Sequence, residues 1–152
     1  MAEAYSVVFN SQGTNVISNV GNANTSITYS VNWGAFLPMK YKRFHCQFVF
    51  KSQNYAGILV NNGFVNMNLG KVNVYDGTSM TSNLGIIYPV ITNTTAGAQA
   101  SFYNSTNNDN NDFWIQYPTN QQVTINLNTF AGVAMANMPS YALILNLIGI
   151  EE

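Results

Sequence analysis

KYKRFHCQFVFK, residues 40–51, holds four of the chain's five basic residues together with its single histidine, His45, and its single cysteine, Cys46. A Cys-His nucleophile needs sulfur and imidazole within hydrogen-bond reach. The alternation Phe44, Cys46, Phe48, Phe50 has period two, the mark of a half-buried strand, and adjacent side chains on a strand point to opposite faces. Cys46 therefore belongs with the phenylalanines as a small core hydrophobe, while His45 shares the other face with Arg43, Gln47 and Val49. A thiol dyad is excluded. The same residues do not make a nucleic-acid patch, because phosphate binding draws on several basic contacts. Here five basic residues are offset by six acids. Lys40, Lys42 and Lys51 fall at the expected ends of the strand, where their ammonium groups reach water.

The polar run NSTNNDNND, residues 104–112, is the other place where chemistry is conceivable. Calcium takes about six to eight oxygen ligands, and Asp109, Asp112 and neighbouring Asn carbonyls offer some. The EF-hand spacing, with its glycine and closing glutamate, is missing, so a solvated loop is the simpler reading and no metal or cofactor is expected. Glu3, Glu151 and Glu152 lie at the ends of the sequence, leaving Asp76 and two loop aspartates, which is no basis for a glycosidase pair. G-x-S-x-G, Walker A, H-E-x-x-H and C-x-x-C are all absent. The chain reads as a non-enzyme. Trp33, Trp114 and the tyrosines permit a sugar-binding alternative, in which Tyr103, Asn104, Asn110 and Asp112 line a loop site. Core filling is the commoner use of such aromatics.

The elements that would position these residues are strands. Period-two segments recur at Tyr5 to Phe9, Thr14 to Val20, Thr25 to Val31, Arg43 to Phe50, Tyr55 to Val60, Phe64 to Asn68, Lys71 to Tyr75, Leu84 to Ile91, Ala98 to Tyr103, Phe113 to Tyr117, Val123 to Asn128 and Tyr141 to Leu147. Between them Asn61-Asn62-Gly63, Asp76-Gly77 and Pro118-Thr119-Asn120 read as hairpin turns. No helix is expected; Val133 to Met138 allows a turn or so before Pro139. So many strands in 152 residues must hide their edges, and the long turns at 78–83 and 104–112 suit Greek-key crossovers. The expected architecture is all-β, a single domain over residues 1–152, folded as a jelly-roll sandwich of two antiparallel sheets.

Charged residues are 7% of the sequence, against about 25% in an ordinary globular chain. Asparagine alone is about one residue in six. A surface of neutral amides and hydroxyls costs less to desolvate than a charged one and makes hydrogen bonds without charge matching. That composition points to an exterior covered by neighbours, with a compositionally biased globular protein as the plainer alternative. The opening MAEAYSVVFN lacks the features of a signal peptide, and no apolar run nears the ~18 residues of a membrane helix, so neither export nor membrane insertion is expected.

SVNWGAFLPMKYKRFHCQFVFKS (30–52), NGFVNMNLGKVNVYDGTSMTSNLGIIYPV (62–90), NDFWIQYPTNQQVTINLNTFAG (111–132) and the ending YALILNLIGIEE resemble the Asn-rich single jelly-roll capsid proteins of large double-stranded DNA viruses, such as minor capsid and vertex (penton-like) subunits. The resemblance implies a structural protein of the virion that assembles with itself and with other capsid proteins, without catalytic residues. A glycan- or receptor-binding module on a virion surface is the second expectation. Contacts are expected at two loop tips: Thr78, Ser79, Met80, Thr81 and Ser82, and Asn107, Asn108, Asp109, Asn110, Asn111 and Asp112. Trp33 and Trp114 are expected to be at least half buried.

Overall fold

Alternation of apolar and polar side chains turns into alternation of burial along several of the strands. In Arg43–Ser52 the residues Phe44, Cys46, Phe48 and Phe50 are buried, while Arg43, His45, Gln47 and Val49 face outward. The computed structural model describes residues 3–20, 24–53, 55–56, 62–69, 74–75, 80–81, 83–91, 99–104, 113–135 and 138–151. Thirteen strands occur among them: β1 (Glu3–Asn10), β2 (Val16–Val20), β3 (Ser26–Ser30), β4 (Arg43–Ser52), β5 (Tyr55–Ala56), β6 (Gly63–Met67), β7 (Val74–Tyr75), β8 (Met80–Thr81), β9 (Asn83–Ile91), β10 (Gln99–Tyr103), β11 (Phe113–Gln116), β12 (Gln122–Thr129) and β13 (Tyr141–Ile150). The chain is all-β, and its only helical element among the described residues is one 3-10 turn, Trp33–Ala35.

Every strand pairing is antiparallel, and the hydrogen-bonded path runs β1-β13-β4-β10-β9-β6-β12-β3-β2, with β11 also on β4 and β5 on β10. Two runs of four strands stand out, β1-β13-β4-β11 and β3-β12-β6-β9. Each inserts late strands between early ones, the order of a jelly roll. The path curls so that one core serves both runs: the Phe9 ring on β1 meets Tyr29 on β3 edge-on at 5.2 Å. The Tyr29 hydroxyl donates to that of Tyr141 on β13 at 3.3 Å. β9 joins the two runs, since residues 83–87 pair with β6 and residues 88–91 with β10.

Phe9, Ile27, Tyr29, Phe44, Phe48, Phe50, Leu143, Leu145 and Leu147 are completely buried in that core. Each such side chain contributes about 1.5–3 kcal/mol by leaving water. Residues 31–42 close one end. Trp33 is buried as expected and donates its indole N–H to the carbonyl of Asn120 at 2.9 Å, and the Tyr117 hydroxyl donates to the carbonyl of Leu37 at 2.8 Å. Tyr41 in this segment lies against Gly149 so closely that a Cβ there would stand 2.6 Å from its ring.

Two turn expectations need correction. Gly63 is not a hairpin turn but the first residue of β6, and β5 and β6 pair with different partners, β10 for one and β9 and β12 for the other. Pro118-Thr119-Asn120 is a corner between the runs, because β11 pairs with β4 whereas β12 pairs with β3 and β6. The Asp76-Gly77 turn lies outside the described residues, but Val74 and Tyr75 do pair antiparallel with Thr81 and Met80.

Candidate interaction surface

β13 reads YALILNLIGI, and only Asn146 breaks its apolar character. Such a run suits a strand covered on both faces, whereas an antiparallel sheet with one solvated face alternates apolar with polar. β13 lies between β1 and β4, so its inward residues Leu143, Leu145 and Leu147 enter the core. Its outward residues Ala142, Ile144, Ile148 and Ile150 are left on the surface of the β1-β13-β4-β11 run.

Register extends this surface into rows across the strands. Ala4, Ile148, His45 and Trp114 form one row, Ser6, Asn146 and Gln47 the next, and Val8, Ile144 and Val49 a third. Two apolar rows thus flank a polar one, in which the Ser6 hydroxyl donates to Oδ1 of Asn146 at 2.7 Å. Val8 is 50% exposed, Ile148 39% and Trp114 47%, which makes this an open apolar face with no cover among the described residues. Trp114 is only just half buried. Its ring lies 4.8 Å from His45 and 4.9 Å from the Arg43 guanidinium, a cation–π contact that fixes a flat aromatic corner on the face.

The outer face of the other run is different. Ser26 donates to Asn126 at 2.7 Å, the Thr28 and Thr124 hydroxyls lie 2.9 Å apart, and Asn68 Oδ1 accepts from the Thr124 N–H at 2.7 Å. These groups are satisfied within the molecule and carry no charge. The sparse charge inferred from composition is therefore, on one side, rows of hydroxyls and amides next to a stacked Phe64–Phe130 pair and, on the other, an apolar face.

The residues singled out for chemistry fall into place as structure. Cys46 is completely buried, and desolvation pushes its thiol up to about 12, so it is no nucleophile. His45 lies on the opposite side of β4. Lys40 pairs with Glu3 at 3.8 Å on the surface. Asn104, read above as part of a sugar-binding loop, is instead buried against β4. Its Nδ2 donates to the Phe48 carbonyl at 2.9 Å and its Oδ1 accepts from the Phe50 N–H.

Of the expected contact residues, Met80 and Thr81 form β8 rather than an open loop tip. Thr78, Ser79, Ser82, Asn107, Asn108, Asp109, Asn110, Asn111 and Asp112 lie outside the described residues, as do the Asp109 and Asp112 carboxylates considered for calcium. A shallow polar cleft of about 310 Å³ opens where β1, β4 and β13 end, lined by Asn10, Gln12, Lys51, Gln53 and Ser140 among others. No helix among the described residues is long and apolar enough to cross a membrane. No protein-family model matches the chain, and no curated protein matches it either.

Proposed function

We propose that the chain is a structural virion protein without enzymatic activity, a jelly-roll capsid subunit that assembles with itself and with other capsid proteins. The observation that carries this reading is the apolar outer face of β1-β13-β4-β11. Four strands about 4.8 Å apart, with outward rows spread over about eight residues, give a projected face on the order of 500 Å². Accessible area exceeds projected area, so the face approaches the ~800 Å² per partner of a stable protein contact. Weak charge elsewhere removes the self-repulsion that keeps soluble proteins apart. Rigid curled strands, neutral surfaces and one apolar wall suit a shell component; the resemblance to viral jelly-roll proteins supplies the particular setting.

Light scattering across a wide concentration range tests the assembly, with Ile148→Asp and Trp114→Asp on the apolar face as variants. Oligomers that both substitutions dissociate, and co-fractionation of the chain with assembled particles, are expected. A chain that stays monomeric at high concentration and passes shell proteins by would overturn the reading. The polar cleft beside Lys51 favours a second function, recognition of a glycan on a virion surface. A broad glycan array with Lys51→Met as control separates the two; binding lost in the variant supports the second function and a blank array removes it.

A further inference from the structure

The hydrogen-bonded path has two ends, β1 and β2, and the two are built differently. β2 is five residues long and broken by a register shift between Val16 and Ser18. Shortness and bulging are two of the ways in which proteins blunt an exposed edge; lysine, proline and inward charge are others. β1 has only one of them, a single charge, Glu3, at its very end. It runs eight residues in unbroken register from Glu3 to Asn10 and contains neither Pro nor Lys. Among the described residues nothing pairs with its outer edge.

A second observation concerns the core. Tyr5 and Val7 face inward on β1 yet are only partly buried, whereas Leu145 and Leu147, their register partners on β13, are completely so. The core is therefore open along the β1 edge, and one further strand there would close it.

We propose that this strand is β1 of a second copy, paired antiparallel about a two-fold axis through Ser6. The inference rests on the self-assembly read above and adds to the contact of the apolar face a second one, at the β1 edge, which leaves Ile148 and Trp114 outside the joint. Residues directly opposite in an antiparallel pair share a face, so the axis must pass through a residue and not between two. With Ser6 on the axis, Ala4 stands opposite Val8 and Tyr5 opposite Val7, and every apolar side chain in these pairs meets another. The row Val49, Ile144, Val8 then continues straight into Ala4, Ile148, His45 and Trp114 of the other copy, and the polar row of Ser6, Asn146 and Gln47 continues into itself. An axis through Val7 sets Val8 against Ser6 and Ala4 against Asn10, which breaks both apolar rows. The two Glu3 carboxylates sit at opposite ends of the joint, so no like charges meet. The product is one sheet of eight strands with its apolar wall doubled on a single side.

Ser6→Cys tests the register directly. Opposed Cα atoms lie about 4.5–5.5 Å apart in an antiparallel pair, inside the ~4.4–6.8 Å range of a disulfide. Buried Cys46 does not compete. Mild oxidation of Ser6→Cys is expected to give a covalent dimer in most of the protein, while Val8→Cys, four residues out of register with itself and so about 14 Å from its counterpart, stays uncrosslinked. Ser6→Lys, which opposes two ammonium groups on the axis, is expected to raise the dimer dissociation constant at least tenfold with the circular dichroism of the strands retained. A chain that is oligomeric in light scattering but yields no Ser6→Cys dimer overturns this contact and leaves the self-assembly reading in place. A monomer at every concentration overturns both. Crosslinking of Val8→Cys in preference to Ser6→Cys overturns the register.

Discussion

Replacing Asn104 with alanine probes how the middle of β4 is held. Along one edge of that strand, β11 pairs with residues 43–46 and β10 pairs with Lys51 through Tyr103. Between those contacts the Asn104 side chain takes the place of a neighbouring strand, with its amide bridging the Phe48 carbonyl and the Phe50 N–H. Alanine takes the Asn104 amide away from both backbone groups, and a buried group that loses its hydrogen bond costs about 1–3 kcal/mol. A loss of about 3 kcal/mol is a large part of the 5–15 kcal/mol that separates folded from unfolded chains. For a chain of about 150 residues it corresponds to a fall of about 6–12 °C in Tm. Urea titration and calorimetry of the wild type and Asn104→Ala measure both quantities.

Asn104→Asp sharpens the test. Near neutral pH its carboxylate still accepts from Phe50 N–H but faces the Phe48 carbonyl with no hydrogen to give. Burial and that carbonyl raise the folded pKa of the new acid above its unfolded value, so stability is regained as pH falls through the folded pKa and the acid supplies an O–H donor. Relative to wild type, Asn104→Asp is therefore expected to be weaker at pH 7 than at pH 4. A loss below about 1 kcal/mol in Asn104→Ala, under the cost of even a single unpaired buried group, refutes the bridging role.

Three further outcomes follow from the core. Gly149→Ala places a methyl group 2.6 Å from the buried Tyr41 ring, and overpacking of this kind costs about 1–3 kcal/mol, to be read from the shift in denaturation midpoint. Cys46 is expected to resist Ellman's reagent in the native protein and to release one equivalent of thiolate signal in denaturant; rapid labelling of the folded chain contradicts its burial. Burial, modestly countered by its hydrogen bond to Tyr141, pushes the Tyr29 hydroxyl up to about 12, and burial raises Tyr141 above its ordinary value too. The neutral phenols are thus the folded-state forms. Their contribution is complete below the unfolded tyrosine value near 10 and is lost as pH rises toward the folded values, at up to about 1.4 kcal/mol per pH unit for each tyrosine. Alkaline titration of stability is expected to fall less steeply in Tyr29→Phe.

Period-two patterning located the strands because burial on one face is a local property of the sequence. It placed Cys46 in the core and His45 outside from their adjacency alone. Pairing was less legible, since Asn62-Gly63 looks the same in a hairpin turn and at the start of a strand whose partners are remote. Asn104 was misplaced for a related reason: nothing local distinguishes a buried amide that completes a distant strand from the other polar residues of the run 104–112. The apolar face had a signal that went unused, the outward Ala142, Ile144, Ile148 and Ile150 of a strand that would otherwise alternate. Its other members, Val8, Val49 and Trp114, come together only through register.

The side-by-side placement of β1 and β13 also governs when this molecule can form. Ser6 meets Asn146 across 140 residues of chain, so β1 leaves the ribosome long before its one described neighbour has been translated. β4 waits in the same way, because β13 must slot in between them. Closing so long a loop comes before any reward from the contacts, which slows folding and prolongs exposure of sticky segments. A nascent chain halted before residue 141 lacks the central strand of one layer, and it is a natural client for holding chaperones until synthesis passes that point.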